Sequence, residues 1–194
     1  MCCRYRILPR GTDREVAAII AGLEKNYRGM YKTGEIFPGD AAPAVIERQG
    51  RLVPVPAVFG FPGFDGKKLI LNARAETAFE KPTFAQALRE RRVVLPADGF
   101  FEWGRDENKT KYLFTADGAN TVYLCGCFRV VENILRFVIL TRAANESMSP
   151  VHDRMPVIAF APQVRSYLTD YSAARRIIQN AAPALVREPV PKEQ

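Results

Sequence analysis

Val93-Val94-Leu95-Pro96-Ala97-Asp98-Gly99-Phe100-Phe101-Glu102-Trp103-Gly104 decides the fold class. Its first four residues read as a strand that runs directly into the aromatic stretch, and four further β-like runs follow at 112–115, 121–128, 135–140 and 155–160. Turn signals such as Asp117-Gly118 separate them. Strands at this regular spacing predict an α+β fold, a mainly antiparallel sheet curled into a barrel or sandwich with a few helices packed outside. Upstream, 3–8 is strand-like, and 44–48 and 52–59 make a hairpin about Gln49-Gly50. Leu69-Ile70-Leu71 is a short buried strand that delivers Asn72-Ala73-Arg74-Ala75-Glu76-Thr77 at its end. Thr12, with Glu15 three residues on, opens an amphipathic helix through Val16, Ile19, Ile20 and Leu23 in the manner of a capping box. A second helix is expected over 84–92 with Thr83 as its cap, and a short third over 164–168. The Pro-rich segment 183–194 reads as a loosely packed tail. With no internal repeat or linker, residues 1–194 form one domain.

The chain of 194 residues is long enough to bury about 70% of its unfolded surface. Its net charge of +7, from 28 Lys and Arg against 21 Asp and Glu, favours a polyanionic partner, most simply nucleic acid. The basic residues are spread through ordered-looking segments, with arginine-rich runs at 4–10 and 89–92, which suits a folded groove better than a disordered arm. The arginines near the start are not followed by an apolar run, and no segment approaches the roughly 18 apolar residues of a membrane span. A cytoplasmic monomer with no membrane association is expected. Cys2, Cys3, Cys125 and Cys127 lack the density of a disulfide framework. Zinc is disfavoured as well, because adjacent Cys2 and Cys3 point apart on a strand and Cys125 and Cys127 are too close in sequence. No metal or organic cofactor is implied, and Cys125 and Cys127 fit one face of a core strand as small apolar residues.

Five places carry candidate chemistry or binding. If Met1 is removed, Cys2 bears an amine and a thiol on neighbouring carbons, and both can attack one aldehyde carbon, giving first an imine and then a five-membered thiazolidine. Cys2 and Cys3 also suit small residues entering a buried strand. Glu102, between Phe101 and Trp103, sits where a carboxylate loses hydration, as a general acid requires, unless simple strand alternation turns it to solvent. His152 is the only histidine; beside Asp153 and Arg154 at a loop-to-strand junction, it serves either proton transfer or structure. Asn72 and Arg74 alternate on an extended backbone, so both aim to one face, where an amide can orient a reactive group beside a phosphate-binding guanidinium. The loop Phe59-Gly60-Phe61-Pro62-Gly63-Phe64 offers aromatics that can stack on unpaired bases or plug one end of a barrel.

Met1-Cys2-x-Arg4, Asn72-Ala-Arg-Ala-Glu-Thr77, Ala97-Asp-Gly-Phe-Phe-Glu-Trp103 and His152-Asp-Arg-Met-Pro-Val-Ile158, in this order across nearly the whole chain, resemble the SRAP family, named for SOS response-associated peptidase. The resemblance implies a single-domain, mainly β fold whose basic cleft binds single-stranded DNA, and whose N-terminal cysteine forms a thiazolidine crosslink with the ring-opened aldehyde of an abasic site. Carried over, Cys2 is the nucleophile, Asn72 the amide that positions it, and Glu102 and His152 the proton-transfer groups. Arg4, Arg74 and Arg154, with Phe59 and Trp103, hold the strand. The family often has Gly at the position of Cys3 and Trp at that of Phe59. Three other activities remain open: a cysteine-type peptidase using Cys2 and His152, a lyase acting through the Cys2 imine, and a noncovalent single-strand binder.

Overall fold

The computed structural model describes residues 2–8, 14–63, 66–105 and 107–191. Strand β1 (Arg4–Ile7) precedes helix α1 (Arg14–Tyr27), the short strand β2 (Gly34–Ile36) and a hairpin of β3 (Ala41–Arg48) and β4 (Arg51–Phe59). Strands β5 (Phe61–Pro62) and β6 (Leu69–Ile70) lead to β7 (Asn72–Arg74), α2 (Ala75–Ala78) and α3 (Pro82–Glu90). Then come β8 (Arg92–Ala97), β9 (Gly99–Trp103), β10 (Lys111–Ala116), β11 (Val122–Val131), β12 (Ile134–Ala143), β13 (Arg154–Pro156) and β14 (Ile158–Ala159). Helices α4 (Ala161–Thr169) and α5 (Tyr171–Gln179) and strand β15 (Leu185–Pro189) follow.

Strands β12, β4, β3, β8 and β11 hydrogen-bond in that order, and β11 pairs back onto β12, so five strands close into a barrel. Closure leaves these strands no free edge. The expected mainly antiparallel, barrel-like α+β fold is therefore the observed one, with β12 pairing in parallel to β4 and β7. A second sheet, β15-β10-β9-β1-β2, shares a core with the barrel: Tyr5, Ile7, Phe100 and Phe114 from the sheet join Val55, Phe59, Leu124 and Phe137 from the barrel. Period-two alternation turns Tyr123, Cys125 and Cys127 of β11 to a second core, against Phe84, Leu88, Tyr167 and Ile178 of the helices. Cys125 and Cys127 are fully buried there, as small apolar strand residues should be.

Local chemistry fixes the turns. Gln49 (φ 52°) and Gly50 (φ 76°) both lie in the left-handed region, so the β3–β4 hairpin turns through two residues in the type I′ manner and sets Arg48 opposite Arg51. In α1, Val16 and Leu23 are buried as the apolar spacing requires; its expected cap Thr12 lies outside the described residues.

Three expectations need correction. The second helix starts at Pro82, with Lys81 as its cap residue and no side-chain cap bond, so Thr83 lies inside it. Proline at the first helical position loses no hydrogen bond and presets φ, which outweighs a threonine cap one residue later. Arg92 leaves the helix for β8 and is buried, donating to the carbonyls of Leu88 (2.9 Å), Tyr167 (2.6 Å) and Leu168 (2.9 Å). Residues 185–189 are not a loose tail: β15 covers the edge of β10 from Ala116↔Leu185 to Tyr112↔Pro189.

Candidate functional site

Strands β1 and β9 pair antiparallel in the register Arg4↔Phe101, Tyr5↔Phe100 and Arg6↔Gly99, which, continued by one residue, sets Cys3 opposite Glu102. Glu102 is 3% exposed, so its carboxylate does not follow simple alternation out to solvent. Cys2 is fully buried, its Sγ 3.9 Å from the Arg4 carbonyl oxygen. Burial, then the Glu102 charge, then Cys3 push the Cys2 thiol well above its ordinary 9.0. Cys3 is half-buried, and burial followed by Glu102 raises its thiol as well. Both thiols therefore stay protonated near neutrality, and both sense the same carboxylate.

The second group of residues is gathered by β12. Strand β7 lies on one side of it in the register Ile139↔Asn72, Leu140↔Ala73 and Thr141↔Arg74, and β13 lies on the other with Ala143↔Arg154. Ala73 is buried while Arg74 is exposed, so the alternation expected of Asn72 and Arg74 holds. Asn72 Oδ1 is buried and accepts no hydrogen bond among the described residues. Such an unmet acceptor is costly, about 1–3 kcal/mol, and marks a position available to a ligand donor.

Arg154 is 15% exposed and forms a fork on Glu76, Nη1 to Oε1 at 2.7 Å and Nη2 to Oε2 at 2.8 Å. Its Nη2 also donates to the Thr141 carbonyl at 2.6 Å. The Arg154 hydrogen bond, the largest cause, holds the Glu76 carboxyl at about 2, well below the ordinary range. The Arg154 backbone N–H donates to His152 Nδ1 at 2.9 Å, and Asp153 Oδ1 lies 3.0 Å from the same nitrogen. The first contact needs a lone pair on Nδ1 and the second a proton, so the two contacts favour opposite tautomers of the neutral ring.

An ion pair joins the two groups: Arg105, just past β9, reaches Asp153 at 3.6 Å. Packing joins them too, since Cys2 shares its core with Met148, Val151 and Met155, which flank His152. Phe59 belongs to that core. It is fully buried, stacked on Phe137 at 5.0 Å and edge-on to Tyr5 at 6.1 Å, and so plugs the barrel rather than presenting a ring to a base. Phe61 is buried likewise, and Phe64 lies outside the described residues. Arg4 and Trp103 line a separate cavity of about 530 Å³ with Glu35, Phe37, Lys109 and Lys111. There the Arg4 guanidinium sits 4.3 Å from the Phe37 ring centre and 5.0 Å from that of Trp103. Glu35 pairs with both Arg4 (3.3 Å) and Lys111 (2.6 Å).

Sequence reasoning did not single out Glu76, Arg105, Glu35 or Lys111, which pair with Arg154, Asp153, Arg4 and Glu35 respectively. Glu76 stood inside a quoted segment, yet its partner lies 78 residues away and no local spacing announces it. Among the described residues no group of three His, Cys, Asp or Glu side chains is placed to hold a metal ion. Among the described residues no helix is long and apolar enough to cross a membrane.

The family model of the SOS response associated peptidases (SRAP) matches residues 1–193. The chain belongs to the SRAP family. It is 39% identical over 100 residues to the abasic site processing protein YoqW of Bacillus subtilis, covering 48% of this chain and 44% of that protein. It is 27% identical over 158 residues to the abasic site processing protein YedK of Escherichia coli, covering 78% and 71%. The match thus spans less than half the length of YoqW. In fold, the SRAP chain is similar to a protein of Bacteroides thetaiotaomicron (TM-score 0.80, 18% identity, 98% and 93% of the two chains). A Bordetella bronchiseptica protein is similar too (TM-score 0.76, 21% identity, 98% and 100%).

Proposed function

We propose that this SRAP chain processes abasic sites by binding single-stranded DNA and joining the ring-opened lesion to Cys2 as a thiazolidine. The observation that carries the reading is the burial of both Cys2 and Glu102, where burial first and the Glu102 charge second raise the Cys2 thiol. Acyl transfer, to which the family's peptidase name points, needs a thiolate, and burial beside a carboxylate opposes one. A thiazolidine needs an amine first and a thiol second.

Removal of Met1 exposes the Cys2 amine. His152 assists opening of the abasic sugar to its aldehyde, the neutral amine adds to that carbon, and the Glu102 carboxylate takes a proton from the attacking amine and delivers it to the departing hydroxyl, which leaves as water. The Cys2 thiol then adds across the imine, its proton passing to the nitrogen, so the whole step loses one water. Asn72, with its unmet acceptor, orients the amine by accepting a hydrogen bond from one of its N–H groups. Arg74, exposed beside it on β7, contacts the strand phosphates. Arg4 and Trp103 extend that grip, whereas Phe59 acts only through packing. Run backwards, the same proton transfers reopen the ring.

The test compares the chain with Cys2→Ala on single strands with and without one abasic site, after heat denaturation. A heat-stable adduct on the abasic strand alone, lost in Cys2→Ala, is expected. An equally stable adduct from Cys2→Ala would sink the thiazolidine. Cleaved DNA in its place indicates a lyase, and equal binding of both strands without adduct a noncovalent binder.

A further inference from the structure

We infer that Glu76 is a positioning residue for His152: its carboxylate fixes the Arg154 side chain, and the Arg154 backbone N–H holds the imidazole with its proton on Nε2. The inference rests on the reading of His152 as a proton-transfer group.

Glu76 stands in the first turn of α2, directly after the strand that carries Asn72 and Arg74. Its two oxygens take both terminal nitrogens of Arg154, a planar fork that resists rotation more than a single contact does. A third hydrogen bond ties Arg154 to the Thr141 carbonyl, and Glu76 itself accepts from the Ala143 N–H at 3.3 Å. The clamp therefore crosses the end of β12, from α2 on one side to the first residue of β13 on the other. With its guanidinium held at three points, the Arg154 backbone cannot shift without breaking these bonds, and that backbone supplies the N–H 2.9 Å from His152 Nδ1.

Asp153 competes for the same nitrogen, but its side chain is 73% exposed and shared with Arg105, so solvent screens it. The N–H is a fixed donor within paired structure. In the neutral ring it takes the Nδ1 lone pair and leaves the transferable proton on Nε2. Glu76 thus acts on the reaction without touching DNA, by selecting the tautomer.

Because His152 is the only histidine, its two ring nitrogens are the sole imidazole signals in the ¹⁵N-labelled, untagged protein. In the free protein with the ring neutral, Nδ1 should resonate as an unprotonated nitrogen and Nε2 as a protonated one. In Glu76→Ala the two signals should shift toward each other as tautomers exchange, and the rate of crosslink formation at saturating abasic DNA should fall by about tenfold, the scale of losing an orienting partner. Glu76→Gln, which keeps one carbonyl oxygen for Arg154, should lie between and serves should the alanine variant not fold. A wild-type ring protonated on Nδ1, or a wild-type ring spectrum in the folded Glu76 variant, overturns the inference. The ring signals are read without DNA, so they stand apart from any failure of the crosslinking reaction itself.

Discussion

Glu102 owes its character to where it sits rather than to what flanks it. An aromatic run with one carboxylate fits a strand facing either way, and in the fold Glu102 is buried to 3% exposure. Loss of its proton without loss of its shape should separate chemistry from packing: Glu102→Gln should bind single strands normally while forming adduct about a hundredfold more slowly, as general acid–base groups commonly contribute. An unchanged rate in single-turnover adduct formation would remove Glu102 from the mechanism. Cys2, Asn72 and His152 were legible as candidates because each is a chemically unusual residue in a sharply defined motif. Phe59 misled. A ring between Val58 and Gly60 near a Gly- and Pro-rich loop suits a base platform, but its burial against Phe137 depends on a strand nearly 80 residues downstream.

Among elements, β12 matters most, because β7 and β13 flank it and bring Asn72 and Arg154 to either side of one strand. The Glu76–Arg154 clamp at its end has a pH signature. The folded Glu76 carboxyl at about 2 lies below its ordinary 4.5, so the pair's stabilisation is full above pH 4.5 and is lost as pH falls toward 2. Acid-dependent unfolding should accordingly be shallower in Glu76→Gln than in wild type across that window, measured by denaturant midpoints; parallel curves would contradict the clamp. Helix ends are held by Arg92, which serves carbonyls at the ends of α3 and α4. Arg92→Met should cost about 3 kcal/mol in chemical denaturation, because several buried acceptors lose their donor at once. At Gly126 an added Cβ would meet the Val138 carbonyl oxygen at 2.2 Å across the β11–β12 pair, so Gly126→Ala should destabilise by more than about 2 kcal/mol, read from the same measurement. The strands and the β3–β4 hairpin were legible from β-branched runs and turn residues. Helix α5 was legible in principle, with Asp170 capping Ser172 and Ala173 and Ile177 and Ile178 on one face, but Arg175 and Arg176 interrupt its apolar run. Strand β15 was not legible, since proline-rich chain becomes a strand only when an open edge such as that of β10 awaits it.

For the whole molecule, the net charge of +7 gives a field that favours a polyanion, and the exposed Arg74 and the Arg4 cavity show where part of it lies. If about four phosphates are neutralised, log affinity for single strands should fall with log salt at a slope of about −2.8; a flat dependence would contradict a basic groove. That charge was plain in the sequence, whereas its arrangement was not: Arg154 and Lys111 are engaged by carboxylates of their own chain. The central claim, a covalent bond through the Cys2 amine and thiol, is tested most directly by the intact mass of the product formed with a single strand bearing one abasic site. The account predicts the chain without Met1 joined to the DNA with loss of one water. Unmodified chain beside intact DNA, or an adduct that retains Met1, would contradict it.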